Sequence, residues 1–540
     1  MLWVLVAAGA AVYFVALGNS TIWDANEAYY VETPREMLEA HDLVNPSFNY
    51  EPRFNKPVLS YWMVAGLYRL FGVSVGVQRL GIAIGAILIV LSAYLIAARF
   101  DDEAVSPRLR LAGVWAAAGL LATPRLLMFA RRIYIDIWVA AFMALTLAFF
   151  AMSEADPPHR RRYLVLMYAA VGLGALTKGP VAIALPGLAF AVYLIARREL
   201  WRVREMMLPA GILIVAAIVV PWYGVLYGEH GWTYIRSFLV TENLERYTEG
   251  VGVRLHRGPL FYLPVVFSDT FPWSMLLPMA AFAAWRSRTR IETLLWCWIV
   301  VIVGFFSFSA GKQDLYIFPI APAVAALGGM AVARGLSDPR WRRWLLGSLA
   351  AAGALLALAG AAVLVVFGGG GRVYALEAAV VVGVVGVLGG ATALLLALMR
   401  RPAAAALALL GAIVGINWVF VVGVLPEFER YKPVPGFSAV LRERLQPGDV
   451  VAHYQASLPS MTYYLRRHVD TYFDADSFVR AVQAPRRVYA VLSSDDYQAL
   501  KGRLGTTCVV DRRPTFDVKL ARVLAREPLP ELLLITNQCR

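Results

Sequence analysis

Leu80-Gly81-Ile82-Ala83-Ile84-Gly85-Ala86-Ile87-Leu88-Ile89-Val90-Leu91-Ser92-Ala93-Tyr94-Leu95-Ile96-Ala97-Ala98 runs without a charge between Arg79 and Arg99. A helix needs about 20 apolar residues to cross the hydrocarbon core of a bilayer, and this stretch supplies them. Working outward from it, similar segments recur at about 1–18, 109–127, 134–152, 163–177, 180–196, 208–227, 262–284, 291–309, 315–333, 345–367, 374–398 and 403–425, thirteen in all with 79–98. The 540 residues are 59% hydrophobic and 16% charged, against about 25% charged in soluble domains. That balance excludes an ordinary soluble enzyme. The 12% aromatic content gives too much surface to bury for a disordered chain. The reading is a polytopic α-helical membrane protein.

The formal charge of +14 would point to nucleic acid on a soluble protein, so its distribution matters. Alternate connections between the apolar segments carry Arg99, Arg108, Arg110, Arg160–Arg162, Arg197, Arg198, Arg202, Arg204, Arg286, Arg288, Arg290, Arg334, Arg340, Arg342, Arg343, Arg400 and Arg401. These 19 arginines face eight acids (Asp101, Asp102, Glu103, Glu154, Asp156, Glu199, Glu205 and Asp338), which leaves +11 on one side. By the positive-inside rule that side is cytoplasmic, and no nucleic-acid partner is expected. The first segment then begins inside. Ala16-Leu17-Gly18 has the small residues of a processing site, but no basic region precedes the apolar run, so a retained anchor is expected.

Three long segments fall on the outer side. Residues 19–78 include Pro57 to Phe71, apolar and aromatic but too short to cross, and expected to lie in the interface. Residues 228–261 form the second. The third follows Pro426, Pro433 and Pro435, read as a linker. Beyond it, β-like runs (Asp449 to Tyr454, Arg487 to Leu492, Glu531 to Thr536) alternate with helical ones (Ser460 to Arg467, Ser477 to Gln483, Asp495 to Leu504). The expected organisation is a membrane domain over 1–426 and a small periplasmic α/β domain over 427–540. Cys297 falls inside a span. Cys508 and Cys539 share the outer domain, where oxidation is permitted, and the sequence leaves their pairing open. No metal-ligand spacing is present.

Ionisable residues near membrane depth are costly and mark function. Here they gather on the outer side: Asp24, Glu27, Glu32 and Lys56; Arg131, Arg132 and Asp136; Lys178; Glu242, Arg246, Arg254, His256 and Arg257; Lys312, Asp314 and Tyr316. No comparable set sits at mid-membrane, which speaks against an ion-coupled transporter. Only six of the 51 basic residues are lysine, and all six lie outside. Lys56, Lys178 and Lys312 each stand beside Pro or Gly at a segment edge. A compact ammonium suits a point contact to phosphate oxygens, where Arg makes a planar fork; lysines snorkelling to headgroups are the plainer alternative. Cations and carboxylates together suit transfer of a sugar from a lipid-linked phosphate, with the cations stabilising the leaving group and a carboxylate deprotonating the acceptor.

At this point the residues resemble a known family. Trp23-Asp24-Ala25-Asn26-Glu27-Ala28-Tyr29-Tyr30-Val31-Glu32-Thr33-Pro34-Arg35-Glu36-Met37-Leu38 is similar to the first-loop signature of GT-C glycosyltransferases, in particular the bacterial aminoarabinose transferases and protein mannosyltransferase-like enzymes. Arg53-Phe54-Asn55-Lys56-Pro57 through Tyr61-Trp62, Asp136, Leu176-Thr177-Lys178-Gly179, Pro221-Trp222, Glu242-Asn243-Leu244-Glu245-Arg246-Tyr247, His256, Pro272-Trp273 and Gly311-Lys312 to Tyr316 continue the likeness in order. The resemblance implies a GT-C fold in the inner membrane and an inverting transfer from a polyprenyl-phosphate sugar, at the periplasmic face, to a lipid A, glycan or protein acceptor. It also implies a monomer among membrane lipids. Lys56, Lys178, Arg246, Lys312 and Tyr316 are expected at the donor phosphate, and Tyr61, Glu242 and His256 near substrate. The rival reading is a lipid-linked glycan flippase without transferase activity.

Two departures bear on mechanism. The relatives' first-loop Asp-Glu pair falls on Asn26-Glu27, so the base role passes to Asp24 or Glu27, with Asp24 favoured. Asn55 and Asn243 stand where aminoarabinose transferases carry an acid and a His, which weakens the case for a divalent metal and for that sugar. Asp136 is expected either to organise the site or to cap its helix, and Glu242 and Arg246 at i, i+4 also read as a plain helix pair.

Overall fold

A computed structural model describes all residues except 99–110, 133, 251–256, 370–372, 517–522, 524 and 540. Among the described residues, each of the thirteen apolar segments contains helix. The first ten helices are α1 (Leu2–Tyr13), α2 (Asn26–Glu39), α3 (Leu59–Phe71), α4 (Val75–Ala97), α5 (Leu111–Ala122), α6 (Pro124–Arg132), α7 (Tyr134–Ala155), α8 (Arg160–Lys178), α9 (Val181–Ala196) and α10 (Leu208–His230). Helical stretches follow at Pro259–Asp269, Trp273–Ser287, Arg290–Ser307, Asp314–Ser337, Pro339–Phe367, Glu377–Leu398 and Pro402–Tyr431.

Among the described residues, eight helices are long and apolar enough to cross a membrane, or ten if the bent pairs α5–α6 and Pro259–Asp269 with Trp273–Ser287 each count as one span. The expected thirteen is therefore not reached on length and composition. The 12 residues of α1 rise only about 18 Å. The helix α9 is similarly short, and α8 opens on three arginines. This is a multi-pass membrane protein whose helices share one continuous core.

Three of the arginine-rich connections meet at one end of the bundle. Arg160, Arg202 and Arg290, from three different connections, all reach Glu154 in the last turn of α7, at 3.4, 2.7 and 3.5 Å. Arg290 also reaches Glu199 at 2.8 Å. Three of the connections read as lying on one side thus form a physical cluster. Elsewhere close approach depends on glycine: a Cβ on Gly360 would lie 2.6 Å from the backbone nitrogen of Val387, so Pro339–Phe367 and Glu377–Leu398 pack backbone to backbone.

In the first loop, α3 buries Tyr61, Val64, Ala65 and Tyr68 and exposes Leu70 and Phe71. A two-residue hairpin pairs β1 (Ser47–Phe48) with β2 (Glu51–Pro52). The expected proline linker is helical instead. Pro402–Tyr431 runs through Pro426, and a new helix, Pro433–Arg444, starts at Pro433. Proline costs nothing in a first helical turn because its missing N–H has no partner there.

The tail forms a five-stranded sheet from β3 (Val450–Tyr454), β4 (Asp470–Tyr472), β5 (Val488–Ser493), β6 (Cys508–Pro514) and β7 (Glu531–Thr536), in the order β4-β3-β5-β7-β6. β3 pairs in parallel with β4 and β5, and β7 runs antiparallel to β5 and β6. Alternate residues of β5 enter different cores, Val488, Ala490 and Leu492 on one face and Tyr489 and Val491 on the other, as a strand covered on both faces requires. The outermost strands β4 and β6 are the two the sequence reading missed, because their polar and charged residues break the apolar run. Cys508 and Cys539 are joined, closing β6 onto the residues after β7.

Candidate active site

The opposite ends of α7 and α8 from the arginine cluster carry the cavity. Asp136 lies in the first turn of α7, and Lys178 is the last residue of α8. The helix α8 stops there because Gly179 takes φ +95, a backbone conformation that favours glycine. A Cβ at Gly179 would lie 2.5 Å from Cζ of Phe238. The Phe238 ring therefore rests on the glycine, and the Lys56 ammonium stands 6.0 Å from that ring's centre. One tight joint thus brings the first loop, the α8–α9 break and the second outer segment together.

The cavity is about 620 Å³ and is lined by Lys56, Lys178 and Arg246, by Asp136 and Glu242, and by Asn26, Tyr30, Asn243, Tyr247, Gln313 and Tyr316, with apolar walls from α7, α9 and Phe305–Phe306. Three cations face two carboxylates. Lys178 donates to Asp136 and stands 5.4 Å above the Tyr316 ring. Lys56 donates to Oε2 of Glu242 at 2.9 Å, and Arg246 donates to the same oxygen at 3.1 Å. Burial pushes the Glu242 carboxyl upward, but Lys56 and Arg246 outweigh it and hold the group below its ordinary value. Burial also lowers Lys56, with Glu242 opposing. The chemistry on offer is a cluster of three cations able to hold a phosphate, with carboxylates beside it.

A second hollow, about 480 Å³, opens next to the first and shares Pro180 and Leu239 with it. Its other walls are apolar and aromatic, including Ile183, Val220, Tyr223, Tyr227, Trp232 and Ile235. Nothing in the residue pattern marks it, since apolar residues are the background in such a chain.

The sequence-read residues divide. Lys56, Lys178, Arg246, Tyr316, Asp136 and Glu242 converge on the cavity. Tyr61 is fully buried and stacks on Tyr30 with ring centres 5.8 Å apart, supporting the wall from behind. Lys312 is 6% exposed, and its ammonium is 2.5 Å from the carbonyl of Ser309, so it braces the wall through Ser309. His256 lies outside the described residues. Neither carboxylate favoured as base is at the cavity. Glu27 is fully buried against Arg79, with contacts of 2.7 and 3.0 Å, and also accepts from the Trp23 amide. Asp24 accepts from the amide and hydroxyl of Ser460 at 2.8 and 2.6 Å, and its burial raises the carboxyl to about 6. Within the motif Trp23 to Leu38, Asn26 lines the cavity instead, with Tyr30 one helical turn on.

The positions where relatives were expected to hold a metal do not fit one. Asn55 is exposed, and the Asn243 amide donates to the carbonyl of Phe238 at 2.7 Å. Among the described residues no group of three His, Cys, Asp or Glu could hold an ion, so no step is routed through a metal.

The architecture is the GT-C fold that the sequence implied. The chain resembles the bacterial aminoarabinose transferases and the protein mannosyltransferases within it, as the first-loop motif implied. The dolichyl-phosphate-mannose-protein mannosyltransferase family matches residues 55–224. Relatives include undecaprenyl phosphate-α-4-amino-4-deoxy-L-arabinose arabinosyl transferase 1 of Pseudomonas fluorescens (strain Pf0-1), 29% identical over 63% of this chain and 59% of that protein. The corresponding transferase of Pseudomonas aeruginosa (strain UCBPP-PA14) is 31% identical over 60% of this chain and 58% of its own length. The chain thus spans under two thirds of these curated relatives. A crystal structure of ArnT from Cupriavidus metallidurans bound to undecaprenyl phosphate superimposes with TM-score 0.80 at 27% identity, over 99% of this chain and 98% of that one. The apo form matches with the same TM-score at 26% identity, over 99% and 97%.

Proposed function

We propose that the chain is an inverting glycosyltransferase that moves a sugar from a polyprenyl-phosphate donor to a lipid A, glycan or protein acceptor at the periplasmic face of the inner membrane. The observation that carries this reading is the junction of a cationic cradle with an apolar hollow through Pro180 and Leu239. A donor phosphate held by Lys56, Lys178 and Arg246, with Tyr316 beneath Lys178, leaves its polyprenyl chain to the hollow and thence to lipid. Asp136 sets the Lys178 ammonium. The names of the relatives, which are undecaprenyl-phosphate sugar transferases, support the same donor class. The neutral Asn55 and Asn243 leave the sugar open.

Orientation follows the arginines. With that cluster inside, the cavity at the other ends of α7 and α8 faces the periplasm, where cytoplasmic nucleotide sugars are absent and a lipid-carried donor is required. Residues 1–426 then form the catalytic membrane unit and 427–540 an outer domain docked on the first loop. Ser460 holds Asp24, and Tyr464 accepts from the Ile22 amide at 3.1 Å. Lys432 stands 4.0 Å over the Trp23 ring. The tail domain thereby fixes the loop that presents Asn26.

Membranes containing the protein, given radiolabelled polyprenyl-phosphate sugar and an envelope extract as acceptor, are expected to move label into acceptor and release polyprenyl phosphate. Label that changes leaflet while remaining on its intact lipid identifies a carrier instead and overturns the proposal.

A further inference from the structure

With Asn26 at the first-loop position that faces the cavity, and Asp24 and Glu27 bound elsewhere, the deprotonating group must be sought on other elements. Two carboxylates line the cavity. Asp136 is 9% exposed and fixed on α7 beside Lys178. The Glu242 side chain is 24% exposed and sits on the wide π-helical turn Ser237–Glu245, a feature that recurs at functional sites. Both of its cationic contacts go to Oε2, and among the described residues none is made to Oε1. Its partners, Lys56 and Arg246, are also two of the cations a donor phosphate would take.

We propose that Glu242 is the general base of the transfer and is masked until donor binds, the donor phosphate displacing its carboxylate from Lys56 and Arg246. This rests on the polyprenyl-phosphate reading above. In the step, the displaced Glu242 carboxylate takes the acceptor O–H proton on the face of the sugar away from the phosphate, and the acceptor oxygen bonds to the anomeric carbon from that face. The bond from that carbon to the phosphate oxygen breaks, and its electron pair leaves on polyprenyl phosphate, held by Lys56, Lys178 and Arg246. The proton goes to water as products depart. In the free protein, the two cations keep Glu242 a weak base. Once the phosphate neutralises them, its basicity rises where it is needed, so a carboxylate without donor does not activate water or acceptor.

The groups facing Glu242 are Lys56, Arg246 and Arg53, which favour its charged form, and the buried hydroxyls of Tyr30 and Tyr61. Asp136 and Lys178 complete the cavity. Because kcat/KM reports the free protein and kcat the complex, the acid limb of kcat is expected at higher pH than that of kcat/KM for donor.

The test compares Glu242→Gln and Glu242→Asp with wild type in proteoliposomes, measuring both transfer and binding of polyprenyl monophosphate. Glu242→Gln is expected to bind polyprenyl monophosphate at least as tightly as wild type, since a competitor for Lys56 and Arg246 is gone. Its kcat should fall by about 10²-fold or more, with the acid limb lost. Glu242→Asp should recover part of the rate and keep the limb. Wild-type kcat in Glu242→Gln overturns the proposal, as does loss of polyprenyl monophosphate binding together with transfer, the sign of a structural role. Wild-type protein that transfers no sugar overturns the donor reading itself, and that result is visible before any variant is made.

Discussion

Glu27→Gln is expected to yield protein that melts far below wild type in detergent, or fails to accumulate folded, rather than protein that is folded and inactive. Glu27 and Arg79 are 0% and 1% exposed at their side chains and meet at 2.7 Å. Arg79 also donates to the carbonyls of Leu17, Ser20 and Thr21 at 2.8–3.0 Å, so it holds the chain between α1 and α2 onto α4. Removing one partner of a buried pair leaves an uncompensated charge and costs about 3–5 kcal/mol, a large part of the roughly 5–15 kcal/mol that keeps a domain folded. The paired change Glu27→Met with Arg79→Met removes the orphaned charge but strands the three carbonyls, so it should recover only part of the loss. Thermal unfolding followed by size-exclusion chromatography reads this. A Glu27→Gln protein with wild-type melting and no transfer would return Glu27 to the chemistry.

Lys178→Ala is expected to lower kcat/KM for transfer by about 10²–10³-fold, the usual consequence of deleting one preorganised contact to developing charge, while leaving a folded protein. Lys178 lines the cavity, pairs with Asp136 and lies over Tyr316, so the variant removes the ammonium and frees Asp136 to repel the phosphate. Lys178→Arg should restore little, because a planar fork does not occupy the position of a point charge at the tight Gly179 joint. Lys501→Ala, on the exposed surface of the tail domain, is the control and should transfer at the wild-type rate. Kinetics of label transfer at varied donor concentration decide it; equal rates in Lys178→Ala and Lys501→Ala would remove Lys178 from the phosphate site.

How far the sequence could be read follows from what each signal reports. Apolar runs of helical length report helices, and every one of the thirteen segments contains helix among its described residues. They do not report crossing, which is why the short α1 and α9 fail the length criterion. The contrast between the few lysines and the arginines of the alternate loops reports chemistry, and it led to Lys56 and Lys178 at the cavity but also to Lys312, which is spent on a backbone carbonyl. Motif order brought the first loop to the site but not the direction its side chains face. Asn26 and Tyr30, four apart, share one face of α2 and line the cavity; Glu27, one residue on, turns about 100° away to meet Arg79. Asp24 reaches a serine 436 residues distant, a contact no local pattern encodes. The apolar hollow beside the cradle is invisible for a related reason: its residues differ from lipid-facing ones only in what they pack against.

Native mass spectrometry of the protein purified in mild detergent is decisive for the proposed donor, which joins one phosphate, set against the cations of the cavity, to a long isoprenoid chain, set against the apolar hollow. The expected result is a retained lipid with the mass of a polyprenyl phosphate or its sugar ester, lost when Lys56 and Lys178 are both replaced by alanine. Retention of only bulk phospholipid by wild type, with added polyprenyl phosphate unable to displace it, would contradict the account.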